Sequence, residues 1–245
     1  MIRLILIILL IPIIAIYTVF DCIITFFIEK IFNTKLLKYR MNFVKLVFKA
    51  VILFAGVKAT IKGIENLEAL SNEKSYYIIS NHRGFCDVVR GYLLFNNITG
   101  IVAKKELEKI PLLSYWMNRI NCVFLDRYDL RDGVRMVVDC IKNINNGISM
   151  WIFPEGTRCK SKNPEDLLEF KSGAFKVAEK TNCYILPIAF KNTEYVFENQ
   201  SPFVKATKIY INIGKAYKIS ELNEEEKKDI GYYNQSIVKN LIREV

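Results

Sequence analysis

The chain has 245 residues and a single histidine, His82. Histidine is the only side chain whose unperturbed charge changes between about pH 5 and 8. Proton transfer near neutral pH by an unperturbed side chain therefore has one candidate. It lies in the segment 81–87, which reads Asn-His-Arg-Gly-Phe-Cys-Asp.

The sequence also lacks paired cysteines. Its six cysteines are scattered, and none stands in a Cys-x-x-Cys pair. With one histidine beside them, they give little support for a zinc site or a redox motif. We expect reduced thiols facing the cytoplasm and no metal site.

Acidic residues are fewer than basic ones, 25 against 35, which gives a net charge of +10. Six of these ten positive charges fall within residues 1–60, beside an apolar run. The chain has no zinc-finger, basic-zipper or aromatic RNA-binding signature. We therefore predict no nucleic-acid partner and expect the basic segment to face anionic lipid headgroups.

The apolar run at the N-terminus is uncharged over 4–20 and resumes over 22–28 after Asp21. As a helix, residues 4–28 would be roughly 37 Å long, against a hydrocarbon core of ~30 Å. No small-residue cleavage site follows, so the run predicts a retained membrane anchor. Asp21 and Pro12 leave two forms open, a spanning helix or one lying in a single leaflet.

A basic amphipathic helix is predicted next. Its polar residues recur at three- and four-residue spacing and share one face: Lys35, Lys38, Asn42, Lys45 and Lys49. Arg40 falls on the apolar face, and its long stem could carry the guanidinium to the interface. The alternative is a solvated helix face on a helix packed against the catalytic domain. The predicted division is a membrane-anchoring segment 1–55, with the basic helix on the cytoplasmic side, and a catalytic domain 56–245.

After Gly56, short apolar runs alternate with longer amphipathic ones, which predicts an α/β fold. The predicted strands are 57–61, 76–80, 100–103, 122–125, 149–153, 183–190 and 208–213. The predicted helices are 86–96, 111–120, 131–145, 173–181 and 222–243. The loop 159–170 is the clearest candidate for a mobile segment.

His82 and Glu155 each follow a predicted strand. In open α/β sheets, the residues that bind ligands and carry out chemistry lie beyond the carboxyl ends of the strands. Residues five apart on a helix are ~140° apart around its axis, so His82 must precede the helix to meet Asp87. Asp87 in the first helical turn can then reach back, fix the imidazole tautomer and stabilise the imidazolium.

A rival hypothesis pairs His82 with Cys86, whose thiolate would be the nucleophile and would form a covalent acyl-enzyme. The alternative interpretation is that Cys86 is a small buried apolar residue without a catalytic role.

Four ordered segments resemble the blocks of the glycerolipid acyltransferases, the family of 1-acyl-sn-glycerol-3-phosphate acyltransferase. They are Asn81-His82 with Asp87, the run Phe124-Leu125-Asp126-Arg127, the run 153–158 (Phe-Pro-Glu-Gly-Thr-Arg), and Leu186-Pro187-Ile188. The likeness extends over about residues 61–190. Ser114 and Asn121 stand where family members usually have glycine, which leaves the identity of the acceptor open.

The resemblance implies a mixed β-sheet flanked by helices, and a reaction without metal or cofactor. His82 would be the general base that takes a proton from the acceptor hydroxyl as it attacks an acyl thioester, and Asp87 would orient it. The implied site for a phosphate-bearing acceptor contains Arg127, Glu155, Gly156, Thr157 and Arg158, with Lys104 or Lys105 adding charge. Glu155 would orient the two arginines, and Gly156 would let the backbone approach the anion.

The predicted function is acyl transfer to a lysophosphatidate-like acceptor, giving phosphatidate in phospholipid synthesis. Its expected partners are membrane lipids and a thioester donor, either acyl-CoA or acyl-acyl carrier protein. The alternatives are transfer to another lysophospholipid, a transacylase, a thioesterase and a non-catalytic lipid-binding protein.

Overall fold

A computed structural model describes residues 1–32 and 36–245. It contains one seven-stranded sheet in the order β1-β7-β6-β2-β5-β3-β4. The strands are β1 (Lys58–Lys62), β2 (Tyr77–Ser80), β3 (Thr99–Lys104), β4 (Val123–Leu125), β5 (Ser149–Ile152), β6 (Ile185–Lys191) and β7 (Lys208–Ile213). Each corresponds to a predicted strand, with ends shifted by one or two residues at most.

The sheet is mixed. Strands β6, β2, β5, β3 and β4 run parallel, β7 pairs antiparallel to β6, and β1 runs parallel to β7. Every residue of β2 and β5 is buried, as expected for central strands covered on both faces. The predicted α/β class, with helices flanking a mixed sheet, is confirmed. The carboxyl ends of β2, β5, β3 and β4 meet at one edge of the sheet. The segments 81–87 and 153–158 begin at this edge, directly after β2 and β5.

Ten helices flank the sheet within the described residues. They are α1 (Ile2–Ile8), α2 (Leu10–Phe32), α3 (Leu37–Ala55), α4 (Ile64–Glu68), α5 (Phe85–Gly91), α6 (Pro111–Arg119), α7 (Leu130–Asn145), α8 (Lys176–Thr181), α9 (Glu224–Lys228) and α10 (Ile230–Arg243). The predicted helix 86–96 is shorter, because α5 gives way to a 3-10 turn at Tyr92–Leu94. The predicted helix 222–243 is broken at Asp229, whose side chain accepts a hydrogen bond from the Tyr232 backbone N–H at 3.0 Å and caps α10.

Two apolar layers cover the sheet. One contains Met41 and Val44 of α3 together with Ile78 and Trp151 of the sheet. The other contains Met136 of α7 with residues of α8 and α10. The division into 1–55 and 56–245 stays a prediction, and the packing of α3 on the sheet shows that the hydrophobic core extends across that boundary.

Residues Ile2–Ile31 form a helical stretch long and apolar enough to cross a membrane. One face of it is polar and contacts α6. The indole N–H of Trp116 donates to the Thr18 hydroxyl at 2.8 Å, and the Tyr115 hydroxyl donates to the Asp21 carboxylate at 2.7 Å. Asp21 is therefore buried against protein, while the opposite apolar face is exposed.

The basic face of α3 differs in part from the prediction. Arg40 does not reach the interface: it is buried and pairs with the Glu29 carboxylate of α2 at 2.7 Å, because α2 packs over that side of α3. Lys45 is half-buried and donates to the Phe95 carbonyl, and its burial lowers its pKa. Lys38 and Lys49 are exposed. Lys35 lies outside the described residues.

Candidate active site

The imidazole of His82 meets the carboxylate of Asp87. The distance from His82 Nδ1 to Asp87 Oδ2 is 2.9 Å, and Asp87 is fully buried in the first turn of α5. The same oxygen accepts the backbone N–H groups of Arg83 at 2.7 Å and Gly84 at 2.8 Å. A carboxylate at Nδ1 favours the tautomer with the proton there, which leaves Nε2 free to accept one.

The rest of His82 is also held in place. Its ring stacks on Phe153 with centroids 4.1 Å apart. Its backbone N–H donates to Glu155 Oε1 at 2.7 Å, and its carbonyl accepts the Cys159 N–H at 2.8 Å. The imidazole of His82 is therefore held in place by contacts from the segment that follows β5.

Glu155 has different hydrogen-bond partners from those that the sequence suggested. It is buried, and its second oxygen accepts the Leu168 N–H at 2.8 Å. Its hydrogen bonds therefore join two backbone segments, at His82 and Leu168, and do not go to the arginines.

A pH dependence follows from this burial, which raises the pKa of the Glu155 carboxyl from its ordinary 4.5 to about 7. The folded state binds this proton more tightly than the unfolded state, so stability from this group is present below the ordinary pKa and is lost as the pH rises to about 7. We expect the unfolding free energy of the wild type, relative to Glu155→Gln, to fall across that window by at most about 1.4 kcal/mol per pH unit. Denaturant unfolding of both proteins in detergent measures the difference. A constant difference across the window would contradict this role.

Arg83 was not singled out from the sequence, although it adjoins the base. Its buried guanidinium contacts Glu194 at 2.9 Å and donates to the carbonyls of Ser161 at 2.6 Å, Asn163 at 3.2 Å and Asp166 at 3.3 Å. The loop 159–170, expected to be mobile, is thus fastened to the residue next to His82.

Cys86 is buried in α5, and its burial raises its pKa far above the ordinary value. A thiol needs its thiolate to act as a nucleophile, so this environment disfavours the cysteine mechanism. The geometry instead fits the reading of Cys86 as a small buried hydrophobe.

A polar cavity of about 340 Å³ lies at the same edge of the sheet. Its lining residues are Lys104, Glu106, Asp126, Arg127, Tyr128, Glu155, Gly156, Thr157 and Lys171. Five of the predicted binding residues line it, and Lys171 was not predicted. Gly156 has φ +70°, a conformation that favours glycine.

Two predicted binding residues lie elsewhere. Lys105 pairs with Asp132 of α7 at 2.8 Å, so Lys104 is the lysine of this pair that lines the cavity. Arg158 lies 3.3 Å from Glu198, a residue that sequence reasoning missed. The same Glu198 oxygen accepts the Phe85 N–H at 2.7 Å, which ties Arg158 to the start of α5.

An apolar groove of about 300 Å³ begins beside this pair. It is lined by the first helices and by α5, including Leu4, Ile7, Val51, Phe85 and Cys86. A groove of this character, which includes Phe85 and Cys86 three and four residues beyond His82, suits an alkyl chain.

Comparisons with known proteins identify the family and the fold. The family model described as Acyltransferase matches residues 58–191. A 1-acyl-sn-glycerol-3-phosphate acyltransferase of Borreliella burgdorferi is 30% identical over 205 residues, covering 82% of this chain and 80% of its own. A chloroplastic enzyme of the same name from Arabidopsis thaliana is 31% identical over 62% of this chain, which spans 41% of that protein. The crystal structure of the 1-acyl-sn-glycerophosphate acyltransferase from Thermotoga maritima has a TM-score of 0.71 at 22% identity and covers 95% of both chains, which shows the shared fold.

Proposed function

Because the chain belongs to the acyltransferase family that includes the 1-acyl-sn-glycerol-3-phosphate acyltransferases, we propose that it transfers a fatty acyl group from a thioester to lysophosphatidate. The product would be phosphatidate for phospholipid synthesis. The named activity of the relatives and the chemistry of the site both support this proposal.

The proposal rests mainly on the position of His82 relative to the cavity and the groove. His82 adjoins a polar cavity, whose lining includes three cations, and an apolar groove: Glu155 of the cavity wall accepts the His82 backbone N–H, and Cys86 of the groove lies in the helix that follows His82. A lysophosphatidate presents a phosphate and an alkyl chain on either side of one free hydroxyl. A base that adjoins both regions is consistent with that order of groups.

The proposed reaction needs one base and no covalent intermediate. His82 Nε2 takes the proton of the acceptor hydroxyl as its oxygen attacks the thioester carbonyl. The tetrahedral intermediate then expels the thiolate, which recovers the proton from the imidazolium. Asp87 holds the ring throughout and stabilises its positive charge.

The donor and the absence of a cofactor are also proposals. A thioester is already activated, so positioning and proton removal suffice without a metal or prosthetic group. Arg127 and the cavity lysine Lys104 would bind the phosphate by charge-assisted hydrogen bonds. Arg158 stays a predicted ligand, with Glu198 limiting its rotamers.

A product survey tests the activity. Purified full-length protein would receive acyl-CoA or acyl-acyl carrier protein with a panel of lysophospholipids, and the products would be identified by mass. We expect phosphatidate as the main product. A different lysophospholipid as the preferred acceptor, or acyl exchange without any thioester, would replace this assignment by one of its alternatives.

We further propose that the N-terminal helix lies in one leaflet, with the catalytic domain on the cytoplasmic face. Hydrogen bonds with α6 extend from Thr18 to Thr25, whose hydroxyl lies 3.4 Å from the Arg119 guanidinium. Nearer the N-terminus, the Arg3 guanidinium donates to the Phe54 carbonyl of α3 at 3.4 Å, and Leu4 and Ile7 line the apolar groove beside α3 and α5. One face of the N-terminal helices is therefore docked on the protein from Arg3 to Thr25, which favours insertion of the opposite apolar face into one leaflet.

The two arrangements differ in where the N-terminus lies. We expect tags at both ends of the full chain to be removed by protease from sealed, cytoplasmic-face-out vesicles, because neither end crosses the bilayer. The measurement is immunoblotting before and after detergent. Protection of the N-terminal tag until detergent is added would show a spanning helix.

A further inference from the structure

The polar cavity contains a cation that the sequence motifs do not include, Lys171. It directly follows the buried Phe170, and its backbone N–H donates to the Pro154 carbonyl at 3.1 Å. Its side chain passes over Gly156: a Cβ placed on that glycine would lie 3.3 Å from Lys171 Nζ and 3.5 Å from Cε. The ammonium of Lys171 therefore lies close to the turn at Gly156, and Lys171 lines the cavity together with that turn.

Some charged residues of the cavity lining have partners within the protein, and others do not. Lys104 forms an ion pair with Glu106 at 2.7 Å, and Asp126 accepts the Tyr128 N–H at 3.0 Å. Glu155 is occupied by its two backbone donors. Each acid of the lining thus has a partner within the protein.

Two cations of the lining are available. Over residues 1–32 and 36–245, neither Arg127 nor Lys171 forms an ion pair. Arg127 is half-buried, and this desolvation lowers its pKa, so an anion beside it would be favourable. Lys171 offers three N–H donors on a flexible stem at the same cavity.

We propose that Lys171 is a phosphate ligand of the acceptor and a determinant of selectivity for phosphorylated acceptors. The proposal rests on the assigned acyl transfer to lysophosphatidate. Arg127 and Lys171 together supply two positive charges for a phosphate that has up to two negative ones. Lys104 contributes less, because Glu106 already neutralises it.

The test compares Lys171→Gln with Lys160→Gln, a control that removes an exposed lysine of the adjoining loop 159–170 that does not line the cavity. Each is assayed with lysophosphatidate and with the monoacylglycerol of the same chain length. We expect Lys171→Gln to raise KM for lysophosphatidate about tenfold, as loss of one charge-assisted hydrogen bond would, with a smaller change in kcat. KM for monoacylglycerol should not change, Lys171→Arg should restore most of the affinity, and Lys160→Gln should match the wild type.

An equal rise in KM for both acceptors, or no rise for lysophosphatidate, would overturn the role of Lys171. Calorimetric binding of glycerol 3-phosphate gives a readout that does not depend on turnover, and Lys171→Gln should weaken it. Unchanged binding of that probe would also overturn the proposal. Failure of the assigned function would look different: the wild type itself would not prefer lysophosphatidate over monoacylglycerol.

Discussion

His82→Ala is expected to lower kcat by ~10²–10⁴ while KM for the acceptor changes little, because the side chain removes a proton and does not bind the phosphate. Near-normal turnover in a correctly folded variant would contradict the base mechanism. The measurement is steady-state kinetics with acyl-CoA and lysophosphatidate, with far-UV circular dichroism to confirm the fold.

A matched control for this variant is Cys86→Ser, which changes the rival nucleophile and leaves the base. Its effect should be mild, since the buried thiol has no part in the proposed chemistry. Intact-protein mass spectrometry after rapid quenching would detect an acylated Cys86. Such an adduct would favour the covalent mechanism over direct transfer.

Asp87→Asn is expected to be the second most damaging change, with kcat reduced by about 10²–10³ for loss of the imidazolium's partner and tautomer control. The carboxylate oxygen that contacts His82 also accepts the backbone N–H groups of Arg83 and Gly84. If the NH₂ group of an asparagine took the place of this oxygen, it would face three hydrogen-bond donors and could accept from none of them. Kinetics beside thermal unfolding separates the two consequences. A large loss of stability with normal turnover per folded molecule would show that Asp87 only builds the loop.

Much of the fold was predictable because its signals are local. Buried strands such as β2 and β5 appear as short apolar runs between turns. The start of α6 can be recognised at Pro111, its first residue, and the start of α7 at its N-cap Asp129. The His82–Asp87 contact was also predictable, since it joins residues five apart around a helix start. Such features depend on neighbours in sequence.

The less predictable parts depend on distant residues. Lys104 and Lys105 are adjacent, and only the position of Asp132 on α7 decides which of them lines the cavity. Likewise, Arg158 forms an ion pair with Glu198, forty residues away in a segment that has no motif. No sequence spacing encodes these tertiary contacts.

The surroundings of Asp21, in the N-terminal apolar helix, also depend on residues distant in sequence. A carboxylate in an apolar run indicates a cost in lipid, but the sequence does not say what relieves it. The hydroxyl of Tyr115 donates to one oxygen of Asp21, and Thr18 and Thr25 on the same face have hydrogen-bond partners on α6. The polar residues of α2 thus determine which face of the helix is left for the membrane.

The most direct test of the central claim is the release of thiol from acyl-CoA by the purified full-length protein, followed with and without lysophosphatidate. Direct transfer at His82 predicts that release depends on the acceptor, that one phosphatidate forms for each thiol, and that His82→Ala slows both by ~10²–10⁴. Thiol release at the same rate without the acceptor, with free fatty acid as the product, would contradict the account and identify a thioesterase.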